Sequence, residues 1–271
     1  MPSPLAVHEL GTGPIVVMLA GFGLDHRLWD GQVEHLARTH RVVCVDLLGT
    51  GRSSKPSTGY ATDEQAELVL ATLAELGIDR FALVGHSYGG IVGFSLAAAS
   101  PGSVEKLILV GSNGVRASRS GEFPFGANAD KLLSYLISSE RTDRVAGRRR
   151  TLAAGFAVEP DSAVLDFLTS VSLDMPSWSA IETYEQMYAT DQIHKISSVT
   201  MPVSLIVGEN DRVHSPAGAR WLCERLVSAS VNLIPGVGHY PMFESPVRLN
   251  EILSSELAVS VNTESPGSRD L

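Results

Sequence analysis

The segment Phe81-Ala82-Leu83-Val84-Gly85-His86-Ser87-Tyr88-Gly89-Gly90 limits what this chain can become more than any other. An apolar run stops at a glycine, a serine follows, and two glycines open the helix-like pattern IVGFSLAAA. A serine caught between a buried strand and a helix sits on a very sharp turn, and small neighbours at 85, 89 and 90 leave room for the strained backbone. Its Oγ is then presented at the C-terminal end of the strand, while N–H groups at the start of the helix stay free. A bare G-x-S-x-G is common by chance. With a strand before it and a helix after it, Ser87 becomes a candidate nucleophile and the Tyr88 N–H a candidate oxyanion donor.

Around this turn, strands and helices alternate. Short apolar runs at Pro14 to Leu19, Arg41 to Leu47, Phe81 to Gly85, Leu107 to Gly111 and Val203 to Gly208 are β-branched-rich and lack period-two polarity. Such runs suit strands buried on both faces, which argues for an α/β class with a parallel sheet. Helical patterns lie at Arg27 to Leu36, Asp63 to Leu76 and Gly90 to Ala99. The middle one has acidic residues in its first turn and Gly77 after its end. Residues 1–114 read as the first part of an α/β core, and residues 115–196, where strand patterning gives way to helix-like stretches broken at Pro160 and Pro176, as a helical cap inserted into it. Residues 197–258 read as the second part of the core, with a strand at Val203, a helix near Ala217 to Leu226, a strand at Val231 to Ile234 and a helix from Pro246 to Leu257. The tail, 259–271, has no apolar periodicity and is expected to be disordered.

Charge narrows the partners. Lys and Arg total 21 against 30 Asp and Glu, a net −9 that repels nucleic acid and anionic lipid. No apolar stretch near the start is long enough to span a bilayer, so the reading is a cytoplasmic protein with neither membrane nor nucleic acid as partner, a monomer or homodimer acting on a small molecule. Cys44 and Cys223 show no metal-ligand spacing and read as buried free thiols, and no metal or other cofactor is expected.

A neutral serine needs a histidine base and a carboxylate to orient it. Asp211 follows the strand VSLIV in Gly208-Glu209-Asn210-Asp211, and His239 follows the strand VNLI in Pro235-Gly236-Val237-Gly238-His239. Both fall at the C-terminal edge of the sheet, where open α/β sheets bind ligands. Glu209 competes with Asp211 for the acid, while Asn113 lacks the charge that stabilises an imidazolium. Of the other histidines, His86 reads as structural, His214 as a loop surface residue and His26 as a helix-start residue; His8, His35 and His40 have no evident partner.

A second oxyanion donor is expected from the loop Ala20-Gly21-Phe22-Gly23-Leu24, through the N–H of Phe22. Trp178, Tyr184 and Met187 recur at helical spacing in the cap and are pocket-wall candidates, as are Tyr240 and Met242 beside His239. The cap holds nine Lys and Arg against eleven Asp and Glu, so it is not basic overall, and Arg148-Arg149-Arg150 reads as a solvated helix face rather than a dock for an acidic carrier protein or anionic substrate.

Together, Ala20 to Leu24, DLLGTGRSS, GHSYGG, GENDRV and GVGHYP resemble the α/β-hydrolase fold family over nearly all of the chain outside the cap and tail. The resemblance implies a mostly parallel eight-stranded sheet flanked by helices, a cap after the sixth strand, and Ser87, Asp211 and His239 as triad. Ala20 stands where the family often has histidine before the glycine, which puts the fine geometry of that loop in question. Relatives that form alkyl-enzymes carry Asp at the elbow, so Ser87 favours an acyl-enzyme. The expected activity is hydrolysis of a carboxylic ester, thioester or lactone of a small apolar substrate. Carbon–carbon hydrolysis of the meta-cleavage-product type, or ligand sensing with little turnover, are the alternatives.

Overall fold

A computed structural model describes residues 4–258. Seven strands form one sheet among the described residues: β1 (Val7–Leu10), β2 (Ile15–Leu19), β3 (Arg41–Val45), β4 (Phe81–His86), β5 (Val104–Val110), β6 (Val203–Gly208) and β7 (Ala229–Ile234). Their order is β1-β3-β2-β4-β5-β6-β7, with β1 antiparallel to β3 and every other pairing parallel. The sheet is one strand short of the eight expected. Only Pro4, Leu5 and Ala6 precede β1 among the described residues; proline has no N–H to give a ladder, and the Pro4 carbonyl and Ala6 N–H bond to Ser54 N (2.9 Å) and Ser53 Oγ (2.8 Å) instead. The helical insertion accordingly follows the fifth strand, not the sixth.

The helices are α1 (Asp30–Leu36), α2 (Thr62–Glu75), α3 (Tyr88–Ala99), α4 (Ala129–Thr142), α5 (Arg144–Gly155), α6 (Ser162–Leu173), α7 (Ser177–Ala189), α8 (Pro216–Cys223), α9 (Pro241–Glu244) and α10 (Pro246–Leu257). Strand side chains alternate between two cores. Val17, Leu19, Val43, Val45, Leu83 and Leu109 face the layer that holds α2, α3 and α8, whereas Val16, Met18, Val42, Val84, Ile108 and Val110 face the layer that holds α1 and α10. This double burial is why the strands read as continuous apolar runs. Helix α3 is buried from Tyr88 to Ala97 and therefore shows no polar stripe.

Helices α4 to α7 lie between β5 and β6, and their starts follow the chain's local chemistry. Asn128 caps α4 by accepting Lys131 N (3.1 Å), Asp161 caps α6 by accepting Ala163 N (2.8 Å), and α7 begins directly after Pro176. The insertion is tied to the α/β core by Tyr60 Oη to Ser179 Oγ (2.7 Å) and by Gln192 Nε2, which donates to Ile91 O on α3 (2.9 Å) and Gly114 O after β5 (3.0 Å). No helix among the described residues is long and apolar enough to cross a membrane. The tail expected to be disordered lies outside the described residues.

Candidate active site

The turn between β4 and α3 places Ser87 at φ 51° and ψ −118°, the one positive φ outside glycine among the described residues. A strained non-glycine backbone costs on the order of 1–3 kcal/mol and persists only where its surroundings hold it. Here Ser87 N donates to Val110 O (3.0 Å), and Ser112 Oγ donates to Ser87 O (2.8 Å). Two glycines make the turn possible: a Cβ on Gly85 would stand 2.5 Å from Gly89 O, and one on Gly89 would stand 2.4 Å from Ala20 O. Ser87 is half-buried, and its hydroxyl has no hydrogen-bond partner among the described residues.

His239 and Asp211 meet behind that serine. His239 Nδ1 lies 2.9 Å from Asp211 Oδ2, both side chains are almost wholly buried, and Asp211 Oδ1 accepts Val213 N (2.8 Å) and His214 N (2.9 Å). Burial alone would raise the Asp211 carboxyl; His239 beside it and the His214 N–H hold it below the usual carboxylate range. An ionised Asp211 fixes the Nδ1–H tautomer of His239, which leaves Nε2 as the free acceptor. Ser87 and His239 line the same cavity, although no hydrogen bond joins their side chains. Glu209, the competing acid, is exposed and reaches only Gly236 N (3.4 Å).

The loop that carries His239 is clamped by a residue the sequence did not single out. Glu244 Oε2 accepts Ala157 N and Gly238 N (2.9 Å each), Oε1 accepts Tyr240 N (3.0 Å), and His239 N donates to Gly155 O (2.8 Å). Three backbone donors on one carboxylate hold the flanks of His239 and the end of α5 together. Glu244→Gln replaces one acceptor oxygen with a donor, and is expected to lower unfolding stability by about 1–3 kcal/mol in denaturant titration.

The N–H groups of Phe22 and Tyr88 have no backbone or side-chain acceptor among the described residues. Gly23, at φ 69°, bends the loop after β2, and a Cβ on Gly21 would stand 2.7 Å from His86 Nδ1 and 3.1 Å from Ser87 Cβ, so this loop lies directly against the elbow. The cavity measures about 550 Å³, within the range of small-molecule sites. Phe22, Tyr184, Met187 and Tyr240 line it, and the Phe22 and Tyr184 rings stack at 3.9 Å.

Two pocket expectations fail. Trp178 is 57% exposed and turns outward to donate Nε1 to Lys55 O (3.2 Å), because its position on α7 is on the face opposite buried Ala180 and Tyr184. Met242 is buried in the core layer that holds α10 rather than in the cavity wall. Tyr88 contributes only its backbone, since its ring is buried and its hydroxyl donates to Tyr60 O (3.4 Å). His214 is also not a surface residue. It is buried beside His239 with ring centroids 5.7 Å apart, and its Nδ1 accepts Asn113 N (3.3 Å). Cys44 is buried as expected, while Cys223 is only half-buried.

His86 is structural: Nε2 donates to His239 O (2.9 Å). Burial pushes its pKa down to about 3, and burial together with the nearby His239 pushes that of His214 to about 4. Both rings are therefore neutral in the fold where the unfolded chain protonates its histidines, so their contribution to stability is full above about pH 6.5 and falls as pH drops from there toward 4. Each contributes up to about 1.4 kcal/mol per pH unit in that window, and His214→Asn is expected to flatten the dependence when unfolding is titrated from pH 7 to 5. An unchanged slope would contradict a neutral, buried His214.

Among the described residues, one cluster has metal-ligand chemistry. His8 Nε2, His26 Nδ1 and the Asp46 carboxylate lie within 4.8 Å of one another. The two rings stack in nearly parallel planes (3.4 Å, 14°), an orientation that does not converge on a single ion, and Asp46 already accepts His26 N (2.9 Å) and Arg52 N (3.1 Å). His26 Nδ1 donates to Asp46 Oδ1 (3.0 Å) and braces the loops after β2 and β3, while the buried His8 Nε2, 3.4 Å from Asp46 Oδ2, makes no hydrogen bond.

An open, mostly parallel sheet with a strained serine at its C-terminal edge, and an aspartate-held histidine facing the same cavity, defines an α/β protein of the hydrolase class. A profile of the alpha/beta hydrolase fold matches residues 14–246. The chain belongs to the α/β-hydrolase fold family. It is 31% identical to a pimeloyl-[acyl-carrier protein] methyl ester esterase of Nitrosomonas europaea, over 89% of this chain and 94% of that protein. It is 25% identical to 3-oxoadipate enol-lactonase 2 of Acinetobacter baylyi, over 89% and 88% of the two chains. An esterase from Exiguobacterium antarcticum superposes with a TM-score of 0.89 at 23% identity, covering 93% of this chain and 94% of that one, which shows the shared fold.

Proposed function

We propose that the protein is a serine hydrolase of carboxylic esters or lactones, working through an acyl-enzyme on Ser87. The observation that carries this reading is the strained Ser87, whose unpaired hydroxyl shares a cavity with the Asp211-held His239. Substrate binding brings His239 Nε2 and Ser87 Oγ into hydrogen-bonding reach, as catalytic contacts often tighten only with ligand present. Ser87 Oγ attacks the ester carbonyl while His239 Nε2 takes its proton, and Asp211 stabilises the imidazolium. The carbonyl oxygen, now an oxyanion, is held by the N–H groups of Phe22 and Tyr88. His239 returns the proton to the departing alkoxide, leaving the acyl-enzyme, and then activates the water that releases the acid.

The relatives named for a methyl ester esterase and an enol-lactonase support an ester-type bond as the one cleaved. The mostly apolar wall around Phe22, Met187 and Leu136 supports an apolar stretch in the substrate. A panel of p-nitrophenyl esters of rising acyl length tests the reading: the folded protein is expected to turn them over, with a length optimum set by the cavity. Absence of turnover across the panel would overturn it.

A further inference from the structure

The cavity has an electrostatic character opposite to that of the chain. Its lining contains three arginines, Arg148, Arg150 and Arg212, and no aspartate or glutamate, although the chain carries −9. The arginines come from both walls, two from α5 and one from the loop after β6, directly following Asp211. Clefts lined by one sign of charge concentrate ligands of the other sign.

The three are not equivalent. Arg148, read from the sequence as part of a solvated face, is buried: Nε and Nη2 donate to Glu140 (2.6 and 2.9 Å) and Nη1 to Ser172 O. Its charge is answered within the fold, and it stiffens the roof rather than offering a free cation. Arg150 is more than half exposed; it hydrogen-bonds the phenol of Tyr135, which brings no countercharge, and its acidic partner, the equally exposed Asp143, stands at 3.2 Å, a pairing of the kind worth little in water. Arg212 is exposed and has no side-chain partner among the described residues. Two cations thus stand on the cavity with weak or no internal compensation, and an arginine fork matches a carboxylate in geometry as well as charge.

Building on the ester hydrolase reading, we infer that the substrate is an ester or lactone carrying a second, free carboxylate, which Arg212 and Arg150 bind while Ser87 attacks the ester carbonyl. The apolar wall then receives the segment that separates the two groups. Arg149 lies outside this arrangement, since it pairs with Asp166 and does not line the cavity.

Steady-state kinetics on matched substrate pairs test this inference. In one series, methyl half-esters of dicarboxylic acids are compared with methyl alkanoates of equal length; in the other, butyryl esters of ω-hydroxy acids with those of the matching alkanols. The anionic member of at least one series is expected to have kcat/KM about tenfold or more above its neutral counterpart. That ratio is expected to fall about tenfold in Arg212→Gln, further in Arg212→Gln with Arg150→Gln, with the loss in KM, and to shrink as salt is raised. Neutral esters turned over as well as anionic ones in both series, or a preference that survives the double variant, would overturn the carboxylate site and leave the esterase reading standing. No turnover of any member by folded protein would instead remove the reading on which it rests.

Discussion

Ser87→Ala is expected to lower ester turnover by about 10⁴-fold or more while leaving the fold intact, measured as kcat on the best p-nitrophenyl ester beside circular dichroism of both proteins. The Oγ has no hydrogen-bond partner among the described residues, so deleting it breaks no structural contact. Alanine keeps the Cβ at φ 51°, so the backbone strain remains and stability is expected to stay within about 1 kcal/mol of the parent. Ser87→Gly separates the two roles of this position. Glycine tolerates a positive φ, so that variant is expected to be at least as stable as Ser87→Ala and equally inactive. Strain kept at a serine that the fold does not need is the mark of a functional position, and retention of activity by either variant would contradict it.

Asp211→Asn is the second large effect, a fall of about 10⁴-fold in kcat with the loop geometry preserved. The amide oxygen can still accept the N–H groups of Val213 and His214, which are bonded to Oδ1. Its NH2 group then faces His239 Nδ1, where Oδ2 stood at 2.9 Å, and donates to it, moving the imidazole proton to Nε2. His239 in that tautomer offers Ser87 a donor instead of an acceptor. Proton-detected NMR of the imidazole would read the change of tautomer directly. A variant with near-parental turnover would show that Asp211 does not orient the base.

Most of this site was legible in the sequence because its parts are local. The FALV strand, Gly85, Ser87 and Gly89-Gly90 fix the elbow within a few residues, and Asp211 and His239 each follow a recognisable apolar run. The parts that escaped depend on contacts between distant segments. Arg148 is buried because Glu140, on a different helix, meets its guanidinium. His214 is buried because its ring nitrogen meets the backbone of Asn113, across 101 residues of chain. Helical spacing grouped Trp178 with Tyr184, but the packing of α7 sends the first to solvent and the second into the cavity wall. Glu244 left a faint sign, an acid shortly after Gly-His-Tyr-Pro, yet its grip on Ala157 could be read only once the end of α5 was seen to touch the His239 loop. That the described residues pair seven strands and not eight is likewise a matter of pairing partners, which the apolar runs do not name.

The most direct test of the account is covalent trapping of the nucleophile. Incubation with a fluorophosphonate, followed by intact mass and peptide mapping, is expected to give one phosphonyl adduct per chain, on Ser87, and none in Ser87→Ala. A folded protein that forms no adduct, or one whose adduct maps elsewhere and survives Ser87→Ala, would contradict an activated serine at this elbow.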